Sequence, residues 1–272
     1  MNFQSVFFSR RNCSAFTLLE LTGILVFLLL LAPIAVTGLC KSRLTASGFG
    51  CMNNQRQMVK AWRMYADDNC GRLVPNKDVG GGSASSPAWV AGWLDYRTPD
   101  NTNTAMLIDH RKYPYGAYLG PYINSASPFR CPADRFVCQL SKRLRVRSFA
   151  MNNFFGEASR TWGISRFLMF TNMNQIKSPS RLWLFIDEHE QSINDGWYAT
   201  SPDAPDLVVD YPAAYHGYGA GISFVDGHAD IQRWTDPRTV PALTVDQPLP
   251  LGIYISGNPD LYWLKDHATE PK

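Results

Sequence analysis

The chain carries little charge for its length, and neither sign dominates. Across 272 residues, 26 Lys and Arg stand against 23 Asp and Glu, giving a formal net charge of +3. No basic stripe with interleaved aromatics is present, so the sequence offers no surface for nucleic acid. There is no internal repeat, which sets aside solenoids and propellers. No EF-hand spacing and no His-Glu-x-x-His pattern occur, so the best-marked calcium and zinc motifs are absent. No C-x₂-C pair exists among the six cysteines, which argues against a cysteine-based zinc site. No nucleophile with recognisable oxyanion donors accompanies the scattered His and Asp residues, and the chain is not expected to be an enzyme.

What is present begins with an apolar run. Phe16 to Leu39 is long enough to span a bilayer as a helix, which takes about 20 residues for ~30 Å of hydrocarbon. Its single charge is Glu20, and a carboxylate in a membrane helix is costly unless it finds a partner. A secretory signal peptide would have a shorter apolar region, and an ordinary signal anchor would have no use for Glu20. Beyond Cys40, apolar residues recur at Leu44, Cys51, Met58, Trp62 and Tyr65, opposite Arg56, Lys60, Arg63 and Asp67. That spacing predicts one amphipathic helical face. Gly48 and Gly50 weaken its middle and allow a bend, and the helix is expected to stop near Asp68 to Gly71.

The remaining stretch of about 200 residues is enough for one sizeable core. Gly80 to Pro87 reads as a flexible loop. Short runs at 89–94, 145–151, 182–186, 221–225 and 228–234 read as strands of a mainly antiparallel sheet. Residues 106–110 and 115–122 read as short helical pieces, and the Pro-rich tail from Pro237 as irregular. In 142–147, Lys142, Arg143, Arg145 and Arg147 alternate with apolar residues, which predicts a half-buried strand with a solvated cationic face. Eight Trp suit core packing, Trp89 and Trp93 included. The expected fold class is α+β, with a long hydrophobic N-terminal helix packed on a mainly antiparallel head.

Two resemblances follow from motifs. Ala15-Phe16-Thr17-Leu18-Leu19-Glu20-Leu21, after a leader with Arg10 and Arg11, resembles the processing signal of type IV prepilins and type II secretion pseudopilins. The family usually has Gly before the cut, where this chain has Ala15. The resemblance implies cleavage between Ala15 and Phe16, methylation of the new Phe16 amino group, and an assembly role for Glu20 against the N-terminal ammonium of a neighbouring subunit. It divides the chain into a leader (1–15), an apolar transmembrane and assembly half-helix (16–40), a soluble half-helix (41–69) and a head (70–272).

The second motif is His216, nine residues, then Asp226-Gly227. It is similar to the C-terminal H-X9-DG region (216–227) of prepilin-like proteins from planctomycetes and verrucomicrobia. Cys51 to Asn54, Tyr65 to Asn69, Arg130 to Asp134, Ser148 to Asn152 and Asp187-Glu188-His189 look like pieces of the same group. Together they imply a pilin-like structural subunit of a type II secretion pseudopilus or, second, a type IV pilus-like filament. Its expected partners are other pilin-like subunits, the prepilin peptidase, an inner-membrane assembly platform and the lipid bilayer. The expected location is the inner membrane, single-pass, with the head in the periplasm or at the cell surface. A membrane-tethered extracytoplasmic binding protein is the alternative.

Asp226-Gly227 is also a type I′ hairpin signal. Asp187, Glu188, Asp195, His216, Asp226 and His228 form a candidate metal set; its carboxylates suit a structural Ca²⁺, while its histidines favour Zn²⁺ or another transition metal. Cys51, Cys70, Cys131 and Cys138 are candidates for disulfides, with Cys131–Cys138 and Cys70–Cys138 both open.

Overall fold

The structure is a computed structural model that describes residues 17–77, 86–156, 166–244 and 249–272; for residues 28–45 it describes the backbone alone. Ala15 and Phe16 lie outside the described residues, as does most of the expected Gly80 to Pro87 loop. The chain divides into two units, 1–43 and 44–272.

Helix α1 runs Leu18–Asp68. In the first unit its described side chains are mostly apolar and uncovered: Leu18, Leu19, Leu21, Ile24, Leu25, Val26 and Phe27 are all exposed, with Glu20 and Thr22 among them. Its start is a reciprocal cap. Thr17 N and Oγ1 donate to Glu20 Oε2 at 2.8 and 2.9 Å, while Glu20 N donates to Thr17 Oγ1 at 3.3 Å. Thr17-Leu18-Leu19-Glu20 is thus a capping box.

The expectation of a long hydrophobic N-terminal helix is corrected here. Among the described residues no helix is long and apolar enough to cross a membrane. In the second unit, the part of α1 that packs into the core is amphipathic. Cys51, Gln55, Met58, Val59, Trp62 and Ala66 are buried, while Arg56, Lys60 and Asp67 stay in solvent. Such a face is held by burial of one stripe, and its charged side is incompatible with a lipid-facing surface. The helix is unbroken through Gly48 and Gly50. Gly50 serves close approach instead, since a Cβ there would sit 3.0 Å from Pro132 Cγ.

The buried stripe of α1 lies against a five-stranded sheet ordered β3-β1-β2-β5-β6. Its strands are β1 (Phe149–Asn152), β2 (Trp183–Asp187), β3 (Trp197–Tyr198), β5 (Gly219–Phe224) and β6 (Ala229–Arg233). The β1–β2, β2–β5 and β5–β6 pairs are antiparallel, but β3 joins β1 in parallel, so the sheet is mixed. Every residue of β1, β2 and β5 is buried. Gln55 Nε2 on α1 donates to Gly221 O on β5 at 2.7 Å, fixing the helix to the sheet. A second, two-stranded sheet pairs β4 (Leu207–Val208) with β7 (Ile253–Tyr254).

Several local expectations change. Residues 89–94 form no named strand; Trp89 is buried but Trp93 is 41% exposed. Short helices α2 (Ala105–Ile108) and α3 (Gly120–Ile123) overlap the two expected pieces, each extending one residue beyond it. The tail is not wholly irregular, because Pro259–Asp266 forms helix α4. Asn258 caps it by accepting from Asp260 N and Leu261 N, and Pro259 supplies a favourable first residue.

The β5–β6 connection does use Asp226-Gly227, but not as a type I′ turn. That turn needs positive φ at both central residues, and here only Gly227 is left-handed, at φ +100°. Gly227 N donates to Phe224 O at 2.9 Å, while Asp226 Oδ1 accepts from His228 N at 3.0 Å.

Residues 142–147 are not a strand with a cationic face. Lys142 and Arg143 are exposed, but Arg145 and Arg147 are buried. Arg145 Nε lies 3.3 Å from Asp134 Oδ2, and its guanidinium covers the Phe136 ring at 3.8 Å. Arg147 donates to the carbonyls of Phe149, Asn194 and Asp195.

Candidate metal centre

Four segments distant in sequence meet between α1 and the sheet. Cys51 comes from α1, Cys131 from the loop before β1, Asp187 from the end of β2, and His216 from the turn entering β5. Their ligand atoms all lie within 4.8 Å of one another, and all four residues are buried. Cys51 Sγ is 3.2 Å from Asp187 Oδ2, Cys131 Sγ is 3.2 Å from His216 Nε2, and His216 Nε2 is 3.3 Å from Asp187 Oδ2.

Each position follows from local geometry. Asp187 is held by Gly221 N, which donates to Oδ2 at 2.8 Å across the β2–β5 pair. Gly221 has no room for a side chain: a Cβ would sit 2.5 Å from Cys51 Sγ and 3.0 Å from Asp187 Oδ2. Its bareness lets helix, strand and carboxylate converge. Cys131 is set by Pro132 against Gly50, and its sulfur accepts from Ala133 N at 3.4 Å. His216 is aimed inward by the Gly217-Tyr218 turn, both residues left-handed, with His216 N donating to Gly219 O.

The electrostatics show how tightly these groups are linked. Burial pushes the Cys51 thiol well above its usual range, with Cys131 and Asp187 adding to the effect. Burial also opposes ionisation of Cys131, but hydrogen bonding to Cys51 and His216 brings its thiol below the ordinary value. Burial works against a charged His216, yet Asp187 and Cys131 overcome it and push the imidazole up to about 10. Within this cluster, Asp187 Oδ1 and His216 Nδ1 are buried with no hydrogen-bond partner among the described residues.

This arrangement divides the six-residue candidate set. Asp187 and His216 are together; Glu188, Asp195, Asp226 and His228 are elsewhere. The nine-residue spacing measures strand β5: His216 stands before it and Asp226-Gly227 turns after it, and six residues at ~3.3 Å each place the ends about 20 Å apart. They cannot share an ion. Asp226 Oδ1 instead meets His228 Nδ1 at 2.6 Å on the half-exposed turn.

Glu188 and Asp195 belong to a second buried group with Arg147, Ser192 and Asp210. Ser192 Oγ donates to Glu188 Oε1 at 3.0 Å, and Asp195 Oδ1 accepts from Trp197 N at 2.9 Å. Burial raises the Glu188 carboxyl well above the ordinary range, with Asp210 adding repulsion. His189 faces elsewhere and burial holds it down to about 4. Asp187, Glu188 and His189 therefore serve three separate surroundings and form no acid–base constellation.

Asp210 yields a pH prediction. Burial, aided by the nearby charge of Asp195, raises its carboxyl from 3.8 to about 8, against the pull of Ala199 N. The folded state thus binds a proton more readily than the unfolded one. This stabilisation is full below 3.8 and is lost as pH rises through 8. Asp210→Asn keeps an acceptor for Ala199 N and removes the titration. Urea denaturation between pH 4 and 8 is expected to show a decline in stability shallower than wild type by up to roughly 1.4 kcal/mol per pH unit. An unchanged slope would refute the assignment.

The disulfide candidates also separate. Cys51, Cys70, Cys131 and Cys138 are all free thiols in the structure. Cys70 is exposed after α1, and Cys138 is buried against Asn101 and the carbonyls of Tyr96 and Thr98. Neither the Cys131–Cys138 nor the Cys70–Cys138 pairing is made. Cys51 and Cys131, candidates only for cross-linking in the sequence, are the two thiols brought together. The available signal was that both sit in short segments grouped with those of Asp187 and His216.

No family model, no curated protein and no solved structure matches the chain.

Proposed function

We propose that this chain is a pilin-like structural subunit, processed before Phe16 and assembled through the apolar start of α1. The type II secretion pseudopilus is preferred over a type IV pilus-like filament. One observation carries the reading: Leu18, Leu19, Leu21, Ile24, Leu25, Val26 and Phe27 are exposed together, with Leu18 and Leu19 each 81% exposed. A contiguous apolar surface of this kind marks a site covered by lipid or protein. The covering here is the same segment of neighbouring subunits, at the inner membrane, with the head beyond the cytoplasm.

The Ala15-Phe16 to Leu21 motif supports the reading at the sequence level. Glu20 adds a chemical requirement. Among the described residues its carboxylate is met by Thr17, at an exposed helix start. Surrounded by other apolar helices, that carboxylate would need a cation, and a methylated ammonium at Phe16 of a neighbour supplies one. The head's buried Cys51, Cys131, Asp187 and His216 are structural on this reading, in keeping with a subunit that works by assembly.

Mass spectrometry of the N-terminal peptide, taken from the native membrane, tests this. A chain beginning at N-methylated Phe16 is expected. A chain that keeps Met1 or starts near Cys40 would end the proposal and favour a tethered binding protein.

A further inference from the structure

The Cys51, Cys131, Asp187 and His216 cluster is independent of how the N-terminal segment is used. We propose that these four side chains bind one Zn²⁺ in a closed, four-coordinate structural site that pins α1 to the sheet.

Three readings compete for such a cluster, and geometry separates them. In a catalytic Cys-His-Asp relay, thiol and carboxylate would engage opposite nitrogens of the imidazole. Here Cys131 Sγ and Asp187 Oδ2 both approach Nε2, at 3.2 and 3.3 Å, while Nδ1 has no partner. All four residues are also buried, as in a closed structural site. A Cys51–Cys131 disulfide would satisfy neither Asp187 nor His216, and both sulfurs are free. Four donor atoms gathered within 4.8 Å of one another suit a cation.

The donor set chooses the cation. Ca²⁺ takes six to eight oxygens, and this site offers one buried carboxylate with two sulfurs and a nitrogen. Thiolate, imidazole and carboxylate in fours suit tetrahedral Zn²⁺. Ligands at about 2.0–2.3 Å from zinc make a tetrahedron with edges of roughly 3.3–3.8 Å. Three of the six edges, at 3.2, 3.2 and 3.3 Å, lie at the short end of that range, and all four ligand atoms are within 4.8 Å of one another, so modest side-chain adjustment would accept the ion. Zinc takes thiolates and a neutral imidazole nitrogen, so its binding would be coupled to proton release.

Neighbouring donors also face the ligand atoms. Ala133 N donates to Cys131 Sγ at 3.4 Å, Gln55 Nε2 lies 3.8 Å from Cys51 Sγ, and Gly221 N fixes Asp187 Oδ2. Such donors orient ligands and soften their excess negative charge. Gln55 is the link most specific to this fold, since the same amide also bonds Gly221 O.

The test uses the full chain purified in mild detergent. Elemental analysis is expected to find about one Zn²⁺ per chain, and Co²⁺ exchanged into the site should give the intense visible bands of a tetrahedral thiolate complex. Cys131→Ser and His216→Ala should each lower metal retention by at least about tenfold, whereas Cys70→Ser and Cys138→Ser should not. If the ligand variants fail to fold, the wild type still decides. Cys51 and Cys131 should resist alkylation until a chelator is added, and then react. A folded chain without zinc, with Ca²⁺ in its place, with a Cys51–Cys131 disulfide, or with the same alkylation in both conditions would overturn the proposal.

Discussion

Glu20→Gln is expected to leave α1 formed and to prevent the subunit from entering filaments. The two roles open to Glu20 separate at this substitution. In the structure Glu20 closes a capping box with Thr17, accepting from its N and Oγ1 and returning a backbone donor. Gln performs that role as well as Glu, because only an acceptor oxygen is needed. It cannot neutralise an ammonium. If assembly depends on a charge pair with Phe16 of a neighbour, Gln breaks the pair and leaves the partner's cation buried alone. Removing one member of a buried pair costs about 3 kcal/mol or more, and 1.4 kcal/mol is a factor of ten, so incorporation should fall by more than ~100-fold. Glu20→Ala should lose incorporation equally and also loosen the helix start. The measurement is the share of each variant in sheared filaments, against its total in the membrane. Gln entering as well as wild type while Ala does not would reduce Glu20 to a helix cap.

How much of this was legible in the sequence depends on whether the cause was local. The face of α1 carrying Cys51, Met58 and Trp62 follows from helical spacing, and its end near Asp68 from the turn formers after it. Strands β2, β5 and β6 follow from short apolar runs and the Asp226-Gly227 turn. Helix α4 was readable from Asn258-Pro259-Asp260, but the many prolines of the tail hid it. The metal set was only half legible, because its ligands come from four separated segments and no spacing rule spans them. Proximity in sequence misled as well: Glu188, His189 and His228 are neighbours of cluster residues or motif residues, yet strand geometry turns them elsewhere. Alternating Arg145 and Arg147 have the period of an exposed strand face. What buries them is Asp134 and the 190–195 loop, which no local pattern announces.

Arg147→Met is expected to destabilise the head more than any exposed substitution, by about 3–5 kcal/mol. Met nearly preserves the volume, so the loss would report on polar contacts and not on a cavity. The guanidinium is buried and gives hydrogen bonds to Phe149 O at 2.6 Å, Asn194 O at 3.2 Å and Asp195 O. Burial lowers its pKa to about 10, against the support of Glu188 and Asp195, so the group stays charged at neutral pH. Its removal takes a donor from three carbonyls, of which Asn194 O keeps Leu94 N at 2.7 Å, and takes a cation from beside those carboxyl groups. Each unsatisfied buried acceptor costs about 1–3 kcal/mol, and protonation of a carboxylate recovers part of the charge term. The position explains why the effect should be global. Arg147 joins the entry of β1 to the turn before β3, the one parallel pair of the sheet, and that pair has no hairpin to hold its register. Whole domains are stable by only about 5–15 kcal/mol, so the variant would stand close to unfolding at 37 °C. Urea denaturation should show a much lower midpoint with an unchanged slope. A loss below about 1 kcal/mol would mean that water replaces the guanidinium, and that the β1–β3 register is set by the surrounding Trp197 and Tyr198 packing instead.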